Sequence, residues 1–195
     1  MKKAGTRRIE TERCYLRRLT VENSQQLFEN VFSDERSAQY MSWEKYTDEK
    51  AVENYLAEWQ KSYEQGECYW GVFLKENDTL IGTVYLYDEN AKAEVGFISY
   101  CFGSKFWGNG YATESVKAVL RYGFNEIGYN NITTFVAKSN ARSQNVLKRL
   151  NFTCEATLRQ RDKTPFGLED CYSYSLLKNE FVWLMLNRVI FAEWE

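Results

Sequence analysis

Apolar positions along this chain change period several times, and each change marks a new element. Residues 13–19, Arg-Cys-Tyr-Leu-Arg-Arg-Leu, read as a strand after a charged lead-in. Residues 21–32 read as a short helix with Leu27, Phe28 and Val31 on one face. Thr47 or Asp48 caps a longer helix whose apolar positions Val52, Tyr55, Leu56, Trp59 and Tyr63 follow helical spacing, and Gly66 ends it. The period then falls to two. Residues 69–75 and 79–87 form a hairpin across Glu76-Asn77-Asp78. A further strand spans 93–102, where Gly96 signals a bulge or a close backbone approach.

Helical spacing returns from about Tyr111 to Asn125, with Ala112, Val116, Val119, Leu120 and Phe124 facing inward. Residues 131–137 read as a strand, and Asn140 opens a helix to about Leu150. Two last strands, 151–160 and 169–177, are joined by the polar segment Arg161–Gly167. Residues 179–195 read as a C-terminal helix too apolar for a solvated tail, which packs on the domain or on a second subunit. Strand, helix, strand over 93–137 predicts a crossover with parallel pairing inside an otherwise antiparallel sheet. No repeat or linker divides the 195 residues, so one domain, 1–195, is expected.

Composition narrows the chemistry. The 44% hydrophobic content supports a packed core, and a net charge of −2 gives no basic field for nucleic acid. No apolar run reaches the ~18 residues of a membrane span. The charged start, Met1 to Arg8, is followed by no apolar segment, so no secretory signal is expected. Five cysteines, none spaced C-x-x-C, fit reduced thiols in a cytoplasmic protein and suggest no zinc site. There is no histidine, which excludes Ser-His-Asp and Cys-His catalysis and leaves carboxylates, hydroxyls, lysine, cysteine or water to move protons.

The stretch from Lys105 to Glu114, Lys-Phe-Trp-Gly-Asn-Gly-Tyr-Ala-Thr-Glu, sits between a strand and a helix. Unpaired N–H groups at such a turn form an anion site suited to phosphates, and glycine lets the backbone come close. The simple alternative is a tight helix entry. A Walker loop needs Gly-Lys-Ser/Thr, which is absent, and a dinucleotide fingerprint needs a third glycine where this chain has Thr113.

Lys105, Gly108 and Gly110 form K-x-x-G-x-G, and about 30 residues on stands Asn140-Ala141-Arg142-Ser143, in a segment running to Asn151-Phe152. This pair of motifs resembles the GNAT superfamily of acyl-CoA-dependent N-acetyltransferases. Thr11–Arg18, Tyr40-Met41-Ser42-Trp43 and Asp170–Leu177 extend the likeness, over about residues 9–178, to the branch of RimJ and RimL ribosomal-protein N-terminal acetyltransferases. The sequence departs from the pattern at Lys105, usually Gln or Arg, and at Asn151, usually Gly.

The resemblance implies an α/β GNAT fold. Its sheet is mixed and mostly antiparallel, with roughly six to seven strands and a splayed parallel pair, flanked by about four helices plus the C-terminal one. It implies acetyl-CoA as cosubstrate, no metal, and a primary amine as acceptor, first a protein N-terminal α-amine and second an antibiotic or polyamine. A non-catalytic acyl-CoA-binding protein is the alternative of a different class. The pyrophosphate is expected on Phe106, Trp107, Gly108, Asn109, Gly110, Tyr111, Ala112 and Thr113, with help from Lys105. The pantetheine arm is expected along Tyr100, Cys101, Phe102 and Gly103, bonded by Asn140, with Lys148 at the 3′-phosphate.

Ser143 is the implied acid at the leaving sulfur, and Glu94 or Asp162 the implied base. Tyr40 and Trp43 are implied walls of the acceptor site. Each has a plainer alternative: a helix cap for Asn140, an ordinary first-turn serine for Ser143, solvated charges for Lys148, Glu94 and Asp162, and core packing for the two aromatics. An acyl-cysteine route through Cys101 is conceivable, but a packing role is favoured.

Overall fold

A computed structural model describes residues 4–41, 43–164 and 167–181. Its eight strands form one sheet in the order β1-β2-β3-β4-β5-β6-β8-β7. They are β1 Ile9–Glu10, β2 Cys14–Arg17, β3 Cys68–Leu74, β4 Leu80–Asn90, β5 Val95–Phe102, β6 Asn131–Ala137, β7 Thr153–Thr164 and β8 Gly167–Leu177. Every neighbouring pair is antiparallel except β5 and β6, so the predicted crossover is present. No described helix is long and apolar enough to cross a membrane.

All seven residues of β3 are buried. Alternation sends Trp70 and Val72 to one side of the sheet and Tyr69 and Phe73 to the other, so both faces carry a core. On the first face Val116, Val119 and Leu120 of α4 (Tyr111–Tyr122) and Leu147 of α5 (Ala141–Arg149) pack against Val84 and Ile98. On the second, Leu27 of α1 (Ser24–Leu27) and Val52 and Leu56 of α3 (Glu49–Glu64) pack against Phe73 and Leu80. Each such aliphatic or aromatic side chain contributes roughly 1.5–3 kcal/mol when fully buried.

The predicted caps of α3 both form. The Asp48 carboxylate accepts from the Ala51 N–H at 2.9 Å. Gly66, at φ 90, closes the helix with its N–H on the Tyr63 carbonyl. Gly96 proves a close approach: a Cβ there would meet the Tyr129 ring at 2.8 Å. The bulge lies on the facing strand, between Asp88 and Asn90.

Two segments differ from their prediction. The helix expected over 21–32 is broken into a 3₁₀ turn at Val21–Asn23, α1, and a π-helical turn at Phe28–Phe32, followed by the short α2 (Glu35–Ala38). The widened turn brings the Asn30 carbonyl against Gly103, where a Cβ would come within 1.8 Å of it. Tertiary packing of this kind leaves no trace in apolar spacing. Of the polar segment expected as a loop, residues 161–164 instead continue β7 and Gly167 begins β8, with Asp162 opposite Glu169. Strand β7 is an edge strand with both faces largely solvated, so its polar residues carry no alternation to read. Of the expected C-terminal helix only the start is described; Phe181 is buried and its ring lies 5.2 Å from that of Phe124, while 182–195 fall outside the described residues.

Candidate active site

The pairing of β5 with β6 runs over Val95↔Asn131, Gly96↔Ile132 and Phe97↔Thr133 and then stops. Beyond Phe97 the two strands splay. Both then pair only away from each other, β5 with β4 as far as Phe102 and β6 with β8 as far as Ala137. The edge of β5 that faces the gap therefore keeps backbone groups free for another chain-like partner.

From Phe102 the chain turns through Gly103 and a 3₁₀ turn at Ser104–Phe106 into α4. Gly108 and Gly110 both hold left-handed φ, 83 and 81. A Cβ on Gly108 would meet nothing within 4 Å, so conformation rather than space calls for glycine there. Gly110 is the N-cap of α4 without a side-chain cap, and the first helical bond is Glu114 N–H to the Gly110 carbonyl at 3.0 Å. The N–H groups of Tyr111, Ala112 and Thr113 are left without helical partners, at the positive end of a twelve-residue helix.

Glu114 in this first turn would repel an anion, and Arg13 offsets it. Its carboxylate accepts from Thr11 Oγ1 at 2.7 Å, the Arg13 N–H at 2.8 Å and Arg13 Nε at 2.8 Å. Burial alone would raise the Glu114 carboxyl; the bonds from Thr11 and Arg13 outweigh it and hold the group below its ordinary range. Arg13 also donates to the Asn109 carbonyl at 2.9 Å and lies 4.7 Å from the Tyr111 ring centroid, so β2 is tied to the glycine turn.

A cavity of about 670 Å³ joins the turn to the splay. Its walls include Tyr100, Cys101 and Phe102 from β5, Phe106, Trp107, Gly108 and Gly110 to Thr113 from the turn, and Asn140 and Ser143 from α5. Asn140 accepts the Ser143 N–H at 3.1 Å, so it caps the helix and faces the cavity at once. Tyr100 Oη and Ser143 Oγ lie 2.8 Å apart. Burial pushes the Tyr100 phenol well up, against a smaller opposing pull from Ser143, so it stays protonated. Burial also raises the Cys101 thiol to about 12, which makes it a poor nucleophile.

Several expected residues stand elsewhere. Lys105 turns away and donates to Asn30 Oδ1 at 2.6 Å, because the 3₁₀ turn packs it beside Phe106 and the π-helical turn. Gly103 serves the close approach to Asn30, and the Asn109 amide bonds back to the Phe106 and Trp107 carbonyls. Lys148 is exposed and lies outside the cavity walls. Glu94, left-handed and exposed, precedes β5 at the end remote from Tyr100, about 20 Å away at the strand rise. Asp162 lies in β7, outside the walls, its carboxylate accepting the Lys163 N–H at 2.9 Å. Tyr40 lines the cavity, whereas Trp43 packs on Phe32, ring centroids 4.9 Å apart.

The walls also hold cations that motif reading did not single out, Lys117, Arg142 and Arg149. Arg142 and Arg149 are seven apart on α5 with Val146 between them, a one-face spacing that was available in the sequence. Two guanidiniums lie over the Trp107 ring, Arg142 at 4.9 Å and Arg36 at 5.4 Å from its centroid.

Residues 13–153 match the family model described as the acetyltransferase (GNAT) domain. The chain belongs to the GNAT acetyltransferase family. It is 32% identical over 175 residues to the protein named "Uncharacterized N-acetyltransferase p20" of Bacillus licheniformis, covering 88% of this chain and 96% of that one. It is 29% identical over 179 residues to "Uncharacterized N-acetyltransferase YoaA" of Bacillus subtilis, covering 87% and 96%. Its fold matches a GNAT-family acetyltransferase from Bacillus anthracis, with TM-score 0.78 at 22% identity over 89% of this chain and all of that one. It also matches the ribosomal-protein-S5-alanine acetyltransferase of Vibrio fischeri, with TM-score 0.79 at 18% identity over 90% and 98%.

The splayed pair, the glycine turn and the capped α5 are thus parts of a GNAT acetyltransferase, an enzyme family that uses acetyl-CoA. The sheet has one strand more than expected, and the fold is otherwise the one that the resemblance implied.

Proposed function

We propose that this GNAT enzyme transfers the acetyl group of acetyl-CoA directly to a primary amine within a ternary complex. One observation carries the reading: a single cavity runs from the free N–H groups of Tyr111–Thr113 to the unpaired edge of β5. Those N–H groups would take the pyrophosphate, with Lys117, Arg142 and Arg149 near the remaining phosphate charge. The open edge of β5 would hold the amide-bearing arm as an added strand, and a free N–H there would polarise the thioester carbonyl.

The amine nitrogen attacks the thioester carbon, the C–S bond breaks, and the sulfur leaves as thiolate. The Tyr100–Ser143 hydroxyl pair donates to that sulfur. Glu94 and Asp162 lie outside the cavity, and the proton lost by the amine would pass to water. Water suffices most readily for an α-amine, whose pKa is about 8.

A protein α-amine acceptor has its support in the RimJ/RimL-like motifs. Thiol release from acetyl-CoA against a panel of peptides, diamines and aminoglycosides tests the reading. Release with at least one amine class supports it, and CoA binding without turnover on any of them reverses it in favour of an acyl-CoA-binding protein.

A further inference from the structure

The open edge of β5 ends at Phe102, and its last carbonyl is already taken. The Gly103 N–H bonds the Ile81 carbonyl at 3.1 Å, and Gly82 stands opposite Phe102. Bonded and unbonded pairs alternate along an antiparallel ladder, so Phe102 turns its own N–H and carbonyl away from β4, toward the splay. That carbonyl accepts from Trp107 Nε1 at 2.7 Å and from Ser37 Oγ at 3.0 Å. Both of its acceptor positions are filled by the protein, although Phe102 and Ser37 line the cavity.

Ser37 belongs to α2, and Asp34 holds it there. The Asp34 carboxylate caps α2 by accepting the Arg36 N–H at 3.0 Å. It also accepts from Ser37 Oγ at 2.8 Å and from the Ser104 N–H. The one Ser37 hydroxyl proton is thus shared between Asp34 and the Phe102 carbonyl. Burial alone would raise the Asp34 carboxyl; the bonds from Ser104, Ser37 and Arg36 outweigh it and hold the group below its ordinary range. Between Phe102 and Ser104, Gly103 lies against the Asn30 carbonyl. All three residues that join the open edge to the glycine turn are therefore fastened to the segment 30–37.

The open edge and the free N–H groups of Tyr111–Thr113 are two half-sites in one cavity. A ligand with two linked parts gains from both only where the spacing of the half-sites matches its own, and a shifted joint forfeits one contact or the other. A joint fixed beforehand also spares the cost of ordering it on binding. We propose that Asp34 and Ser37 are positioning residues: they lock the joint at residues 102–104, so that one CoA molecule fits the strand edge and the glycine turn at once. The proposal rests on the acetyl-CoA reading above and adds the residues that align its two half-sites.

The test compares CoA with 3′-phosphoadenosine 5′-diphosphate, its nucleotide half without the arm. Calorimetric titration gives the ratio of the two affinities for wild type, Asp34→Ala, Ser37→Ala and Asp48→Ala. The last strips a comparable helix cap, that of α3, away from the joint. CoA is expected to bind wild type more tightly than its nucleotide half. That advantage should fall about tenfold in Asp34→Ala and at least about threefold in Ser37→Ala, and stay at the wild-type value in Asp48→Ala. Ser37→Ala keeps the Asp34 cap and decides alone if Asp34→Ala does not fold. An unchanged ratio in the folded variants, or the same fall in Asp48→Ala, gives Asp34 and Ser37 a structural role only and overturns the proposal. A wild type that binds CoA no better than the nucleotide half also overturns it, with CoA binding itself left standing. A wild type that binds neither ligand removes the acetyl-CoA reading as well.

Discussion

Tyr100 Oη and Ser143 Oγ lie 2.8 Å apart, joining the splayed strand β5 to the first turn of α5 across the cavity. The pair presents hydroxyl donors beside the unpaired edge of β5. Ser143→Ala and Tyr100→Phe are each expected to lower kcat about tenfold to a hundredfold, at or below the lower end of general-acid effects. The KM for acetyl-CoA should change less than about threefold. The double variant should lose little more than the worse single one, because groups acting as a unit are not additive. Steady-state kinetics on the three variants checks this; an unchanged kcat in Ser143→Ala removes the pair from the proton path.

Arg142 and Arg149 line the cavity, whereas Lys105 and Lys148 do not. Arg142→Ala and Arg149→Ala should each weaken CoA binding by about tenfold, an effect that shrinks as salt screens the charges. Lys148→Ala should leave affinity unchanged. Lys105→Met should lower the melting temperature, because it strips the bond to Asn30 at the π-helical turn, and should leave CoA affinity near wild type. Calorimetric titration with CoA at two salt concentrations distinguishes these variants.

The Arg13–Glu114 pair gives a pH signature. The folded Glu114 carboxyl lies below its ordinary value: burial raises it, and the bonds from Thr11 and Arg13 more than reverse that. Its stabilisation is therefore full above the unfolded glutamate pKa of about 4.3 and is lost as pH falls through the lower folded value. Glu114→Gln should destabilise the protein at pH 7 and cost progressively less below about pH 4. Urea melts of wild type and variant across that range measure the difference; a constant gap would contradict the linkage.

Cys101 lines the cavity, but burial holds its thiol near 12. Acetyl-CoA alone should leave no acetyl group on the protein by intact mass, and Cys101→Ala should keep kcat within about threefold of wild type. Thiol-directed alkylation of the native protein should reach the exposed Cys154 first, since Cys14, Cys68, Cys101 and Cys171 are buried.

Much of this architecture is legible in the sequence because its signals are local. Asp48 and Gly66 bracket α3 by cap chemistry. Gly108 and Gly110 announce a left-handed turn, and Asn140 a cap. What escaped depends on distant contacts. Lys105 occupies a motif position but is drawn to Asn30, because a π-helical turn 75 residues earlier offers it an acceptor. Glu94 shares a strand with the site, yet adjacency along a strand says nothing of the distance between its ends. Arg142 and Arg149 share a helix face legible in the sequence, but that this face meets the glycine turn is set by packing. The continuation of β7 through residues 161–164 was hidden by solvation of both faces of that strand.

The central claim is direct acetyl transfer from acetyl-CoA to an amine. Initial-rate measurement of thiol release, varying acetyl-CoA together with the amine of that panel that is turned over fastest, tests it most directly. Intersecting double-reciprocal lines, with acetylated amine formed in step with free thiol, are predicted. Parallel lines, or tight CoA binding with no thiol released by diamines, peptides or aminoglycosides, would contradict it.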